Sequence, residues 1–492
     1  MWKTKALFVL ALLVVATAVS YEEEGEEEEW EEGGGSEGGS GRREGEDWFV
    51  LQDSKQVVKT DAGAMKVVRG FGGRFLSSPM HVGFITMEPR SLFIPQYLDS
   101  SLILFIRRGE ARVGNIYKDE LVERSLKMGD IYRIGSGSAF YLINTGEGQR
   151  LHVVCSIDTS DSLGWHAFQS FYVAGGTYPR SVLSGFDPLT LSTAFNVSEG
   201  ELSELLRGQN QGPIVYLSEP HSEPHSRPSV WSKFLDMERD EKLAHMKRIV
   251  SVRGGDFEQE EEAAATPTWS FRKLLMSMFG KSGKRGDKSG RVGKGPDSYN
   301  IYDRKPDFKN DYGWSIALDE SDYSPLKHDD FGVYLVNLTA GSMMAPHVNP
   351  RATEYGIVLS GVGTIQIVYP NGTLAMNAKV TEGDVFWIPR YFPFCQIASR
   401  TGPFEFFGFT TSARDNRPQF LAGANSLLNT MRGPEFAAAF GLSEDRLKEI
   451  LESQRESVIL PSAAVAPPGE KSAPKLMEKI IDRYGSEMVM GF

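Results

Sequence analysis

Gly341-Ser342-Met343-Met344-Ala345-Pro346-His347-Val348-Asn349-Pro350-Arg351-Ala352-Thr353-Glu354-Tyr355-Gly356-Ile357-Val358-Leu359-Ser360-Gly361 is the stretch on which the fold turns. It sets one histidine and one glutamate between two framing glycines. It then runs into an apolar segment, Tyr355 to Ile367, of strand composition. Around it lie further short apolar runs: Phe331 to Leu338, Val385 to Ile388 and Phe404 to Thr410. Helical sequence follows from Glu435 to Leu451.

The first half of the chain has the same order. Phe84-Ile85-Thr86-Met87, Leu102 to Ile106, Ala111 to Tyr117, Ile131 to Ile134 and Leu151 to Ile157 are strand-length runs separated by turn signals. Strands at such short spacing predict a barrel or sandwich. Helical patterns follow at Ser198 to Leu206 and Trp231 to Val250. The two halves can be matched directly. Ala194-Phe195-Asn196-Val197-Ser198-Glu199-Gly200-Glu201-Leu202 parallels Ala439-Phe440-Gly441-Leu442-Ser443-Glu444-Asp445-Arg446-Leu447, with a serine where each helix needs its N-cap. The chain therefore reads as a strand-rich unit with a helical tail, present twice.

The flanking sequence is of other kinds. Lys3 and Lys5 precede the apolar run Ala6 to Val19, with small residues Ala18 and Ser20 before Tyr21, so residues 1–20 read as a secretory signal peptide, too short to span a membrane. Residues 21–47 form a Glu/Gly-rich acidic tract without the apolar content to order itself. Residues 254–300, an acidic run followed by Lys/Gly-rich sequence, read as a low-complexity linker. The expected division is a domain at 48–253, a second at 301–460 and a tail at 461–492. A net charge of −12 argues against nucleic-acid binding, which needs clustered positive charge. Cys155 and Cys395 are the only cysteines and fall in different units, so no disulfide framework is expected.

Gly341, His347, Glu354 and Gly361 fall on the first signature of the cupin family, with Asn349 in place of its second histidine. Gly383 and Pro389 match the second signature, where Tyr391 stands for a glycine and Phe394 for the last histidine. In the first half Gly109, Gly129, Gly137 and Asn144 keep the frame. Counting back from Gly109 puts Pro95 and Tyr97 at the histidine positions and Leu102 at the glutamate, and Phe140 replaces the last histidine. The layout resembles the vicilins, the trimeric seed globulins of plants. So does the wording of Lys127-Met128-Gly129-Asp130 and of His347-Val348-Asn349-Pro350-Arg351-Ala352-Thr353-Glu354. The resemblance covers about residues 48–460. It implies a mainly β fold of two cupin (jelly-roll-type) β-barrels, each followed by a helical extension. Storage globulins are rich in Gln, Asn and Arg, and the scarcity of Gln here departs from them.

The cupin signatures bind a divalent ion through inward histidines and a carboxylate. By that resemblance His347 and Glu354 are candidate ligands, with Cys395 beside the last histidine position as a third, and copper or zinc is the metal such a set would take. Strand alternation opposes Cys395: if Phe394 points inward, Cys395 points outward unless a bulge intervenes. The alternative is a motif remnant in which His347 is simply hydrogen-bonded. The pair His221 and His225 reads as a polar loop. Three N-glycan triplets begin at Asn196, Asn337 and Asn371. Pro370-Asn371-Gly372 reads as an exposed hairpin turn, whereas Asn337 lies in an apolar run. No nucleophile motif, phosphate loop or dinucleotide fingerprint occurs. The expected function is a seed reserve, accumulated as a homotrimer in the protein storage vacuole and mobilised by proteases, with no enzymatic activity and no stable membrane association. The alternatives are a metal- or small-ligand-binding cupin, or a metal-dependent oxidase or dioxygenase, acting through the second barrel, and export to the cell exterior.

Overall fold

The structure is a computed structural model that describes residues 48–217 and 297–467, apart from 53, 71–79, 118–119, 165 and 415. The signal peptide, the acidic tract, most of the linker, His221, His225 and Trp231 to Val250 lie outside these residues. No described helix is long and apolar enough to cross a membrane.

Each half is a β-barrel made of two antiparallel sheets. In the first, one sheet orders its strands Tyr299–Asn300, Asp130–Ile134, Ser101–Arg108, Leu151–Asp158, Met80–Met87, Gly63–Val68 and Ser54–Thr60. The other orders Ser170–Tyr172, Ser91–Leu98, Phe140–Asn144, Ala111–Tyr117 and Glu120–Leu126. In the second barrel one long strand, Glu354–Val368, belongs to both sheets. Its first part pairs with Phe404–Thr410 and its last part with Pro393–Ala398 and Leu374–Thr381.

The turn between sheets falls at matched glycines. Gly361 has φ +83° and Gly109 has φ +91°. A Cβ on Gly361 would lie 1.9 Å from the Pro403 carbonyl oxygen, and one on Gly109 would lie 2.9 Å from that of Arg150, so neither site accepts a side chain. The next turn repeats as well. Gly129 donates its N–H to Ile106 O at 2.8 Å and Gly383 donates to Val358 O at 2.9 Å. Asp130 accepts from Lys127 N at 2.8 Å, and Asp384 accepts from Thr381 N at 2.7 Å.

Period-2 alternation divides the cores. Leu102, Leu104 and Ile106 face the first barrel's interior with Met65, Ile85 and Phe140. Ile103 and Phe105, from the same strand, join Val82 and Val154 in one continuous cluster with Tyr355, Phe407 and Phe409 of the second half. The two barrels thus share a core.

They also exchange strands. Val50–Leu51, at the start of the first half, pairs with Val385 and Phe386 of the second barrel. Tyr299–Asn300, at the end of the stretch read as linker, pairs with Asp130 and Ile131 of the first. Arg133 adds a bidentate contact to Asp329 with both N···O distances at 2.5 Å. Arg107 reaches Leu359 O at 2.6 Å and also pairs with Glu382.

The helical extensions carry the repeat outward. Pro188–Phe195 is capped by Asp187, and Glu199–Arg207 by Ser198 in a reciprocal capping box with Glu201. Pro434–Ala439 precedes Glu444–Glu452, whose N-cap is Ser443. The helical run from Glu435 to Leu451 is thus two helices. The break follows from Gly441 at φ +67°, whose first-half counterpart Asn196 has φ +53°. Each chain half then returns to its barrel: Ile214–Tyr216 pairs with Ser91–Phe93, and Ile459–Pro461 with Ser342–Met344.

Candidate functional site

The site that the signatures point to is the interior of the second barrel, where His347 comes from strand Ser342–Val348 and Glu354 opens the long strand. A bulge between Met344 and His347 sets the histidine opposite Phe394. The imidazole is buried, its centroid 4.0 Å from the ring of Phe394 and 5.2 Å from that of Phe420. Its Nδ1 lies 2.7 Å from Ala345 O. A carbonyl can only accept, so Nδ1 carries the proton. Burial holds the ring neutral, its pKa lowered to about 4.

Glu354 is buried too. Asn349 donates from Nδ2 to Glu354 Oε1 at 2.8 Å, and Asn349 Oδ1 accepts from the N–H groups of Arg351 and Ala352 at 3.1 and 3.0 Å. Asn349, which replaces the family's second histidine, is therefore fixed by its own loop and presents a donor to the carboxyl. Burial raises the Glu354 pKa to about 7, against the lowering effect of Asn349. Burial, and to a lesser extent the charge of the Glu354 carboxyl, pushes the Tyr334 phenol well above its ordinary pKa.

Cys395 is not brought to this pair. Phe394 joins the barrel core, while Cys395 packs on the opposite face with Met343, Ile397 and Ala466. Its Sγ lies 3.9 Å from Gln366 Oε1, and burial raises its pKa to about 11. The strand keeps its alternation at this point, so the third candidate ligand faces away. Among the described residues no three His, Cys, Asp or Glu side chains group as a metal set. Copper and zinc sites of protein donors take three or four. His347 and Glu354 alone do not fit such a site.

The first barrel's counterpart differs from the sequence count by one residue. The bulge between Phe140 and Leu142 sets Phe140 opposite Gln96, as Phe394 stands opposite His347. Gln96, not Pro95, therefore takes the histidine position. The cause is one residue fewer between Gln96 and Gly109 than between His347 and Gly361. Leu102 does match Glu354, each pairing with the equivalent neighbours, Ile157 and Thr410. Gln96 is 1% exposed, and its Oε1 has no hydrogen-bond partner among the described residues. It borders a cavity of only about 10 Å³ among Met65, Ile85, Phe93 and Phe140, room for a single water at most.

The glycan acceptors sort by exposure. Asn371 and Asn196 are exposed. Asn337 lies mid-strand between Trp314 and Glu405, and its side chain hydrogen-bonds Glu405.

Comparison with known proteins agrees with this geometry. The cupin family model matches residues 299–448. A vicilin-like seed storage protein of Arabidopsis thaliana is 56% identical over 431 residues, spanning 87% of this chain and 82% of that protein. A second vicilin-like seed storage protein of the same plant is 32% identical over 438 residues, spanning 87% of this chain and 54% of its own length. The crystal structure of vicilin from Corylus avellana matches with a TM-score of 0.64 at 22% identity, covering 85% of this chain and 99% of that one. Vicilin from Solanum melongena matches with a TM-score of 0.65 at 21% identity, covering 84% and 97%. These solved structures establish the fold. With paired barrels, paired helical extensions and a relative of this identity along most of its length, the chain belongs to the vicilin-like seed storage proteins.

Proposed function

We propose that the protein is a nutrient reserve without a catalytic step of its own, laid down as a homotrimer in the protein storage vacuole and mobilised by proteolysis. The observation that carries this reading is the filling of both barrels. Where a metal-dependent cupin would set its ligands, the first barrel has Gln96 and Leu102 in a packed interior, and the second has two buried groups whose partners are Ala345 and Asn349. Chemistry on a substrate needs a reachable constellation of groups, and among the described residues these interiors offer none.

Assembly finds support in the helical extensions. Leu189 is 67% exposed and Phe440 is 54% exposed, with Phe186, Leu205, Leu442 and Ile450 also open to solvent. Large apolar side chains concentrated on one kind of element mark a contact surface. A closed trimer would cover the first extension of one subunit with the second extension of the next. Entry to the secretory pathway rests on residues 1–20, and Asn371 is the acceptor best placed for a glycan.

Quantifying the protein from seed filling through seedling growth tests the function. A reserve rises to high abundance during filling and disappears as the seedling grows. A low level, held constant through germination, would overturn the reading.

A further inference from the structure

Asn371-Gly372 is the only Asn-Gly step in the sequence. It stands at the tip of the hairpin between strands Glu354–Val368 and Leu374–Thr381, exposed to solvent. Gly372 has φ +85°, and a Cβ built there meets nothing within 4 Å. The Asn371 side chain is folded forward over this glycine. Its Oδ1 accepts from Thr373 N at 3.1 Å and from Thr373 Oγ1 at 2.7 Å.

We propose that this turn is a site of spontaneous deamidation, and that Thr373 activates it. The backbone nitrogen of Gly372 attacks Cγ of Asn371, giving its proton to solvent water or hydroxide. The N–C bond closes a five-membered succinimide, and the carboxamide nitrogen leaves as ammonia with a proton from solvent. Water then opens either carbonyl of the ring, leaving aspartate or β-linked isoaspartate. In the tetrahedral intermediate the negative charge sits on Oδ1, the atom that already receives both Thr373 donors. Donors placed where charge develops lower the barrier. Glycine at the attacking position leaves the approach to Cγ open and tolerates the left-handed backbone.

One contact opposes the reaction. Gly372 donates its N–H to Tyr369 O at 2.9 Å, and that bond must open first. The tip is exposed, and strand Leu374–Thr381 pairs only with Glu354–Val368 among the described residues, so opening is local. The isoaspartyl product adds a backbone carbon and a negative charge at the tip. A glycan on Nδ2 would occupy the leaving nitrogen, so the inference concerns chains that carry none.

The test uses the full mature chain made in a host without N-glycosylation, aged at mildly alkaline pH. Peptide mass spectrometry follows ammonia loss and isoaspartate at every asparagine. Asn371 should convert ahead of all others in the folded protein. Gly372→Ala should slow it severalfold by crowding the nucleophile. Thr373→Val, which keeps the backbone donor and removes the hydroxyl, should slow it by a smaller factor. Conversion of another asparagine first, or an Asn371 that converts only after denaturation, would overturn the site. An unchanged rate in Thr373→Val would overturn the activation.

Discussion

The rings of Phe105 and Phe407 stack with centroids 3.9 Å apart and planes 10° from parallel. One comes from the first barrel and the other from the second, and both are fully buried. This contact lies in the core that the barrels share, so neither barrel completes its packing alone. Phe407→Ala or Phe105→Ala should each cost about 3–5 kcal/mol through lost burial and the cavity left behind. The double variant should cost less than their sum, by about 0.5–1.5 kcal/mol for the lost ring pair. Denaturant unfolding of the four proteins checks both figures.

The Arg133–Asp329 pair is the polar half of the same junction. Asp329's side chain is 4% exposed, so removing the guanidinium leaves a buried charge. Arg133→Ala should destabilise by about 3–5 kcal/mol, whereas replacing both partners with apolar residues of similar volume should cost far less. Thermal unfolding of single and double variants separates the two.

The buried pair in the second barrel makes stability depend on pH in two windows. The Glu354 pKa is raised from 4.5 to about 7 in the fold. Its contribution is full below the unfolded value and is lost as pH rises through 7. His347 is lowered from 6.5 to about 4, so its contribution is full above 6.5 and is lost as pH falls through 4. Glu354→Gln keeps an acceptor for Asn349 and should flatten the loss between 4.5 and 7. His347→Gln, which copies the first barrel's Gln96, should flatten the acid limb. Melting temperatures across pH for both variants read this directly.

The helical extensions are best tested by point substitution. Truncation from Glu435 would also remove Ile459–Pro461, which pairs with Ser342–Met344, and Ala466, which covers Cys395 and Ile397. Leu189→Asp and Phe440→Asp alter only exposed positions. Each should convert trimers to smaller species in light scattering while leaving the melting of the barrels nearly unchanged.

Much of this architecture was legible in the chain. Gly109 and Gly361, Gly129 and Gly383, and the caps Ser198 and Ser443 mark local backbone needs, and local needs show in local sequence. Cys395, a candidate ligand from its place beside Phe394, faces away from His347 and Glu354, as strand alternation alone would set it. Three features were hidden for physical reasons. Val50–Leu51 and Tyr299–Asn300 are too short to show a period, and their partners lie hundreds of residues away or in the other half. A connection one residue shorter between Gln96 and Leu102 than between His347 and Glu354 shifts the histidine position from Pro95 to Gln96, and no residue type announces it. The bond from Asn349 to Glu354 depends on a loop geometry that a motif comparison reads only as a missing histidine.

The most direct test of this interlocked two-barrel account is to cut the chain between the halves. A protease that cleaves only between residues 217 and 297 leaves Val50–Leu51 in the second barrel and Tyr299–Asn300 in the first. Native light scattering on the cleaved protein should find one particle of undiminished mass, with two fragments visible only after denaturation. Two halves that separate without denaturant would contradict the shared core and the exchanged strands.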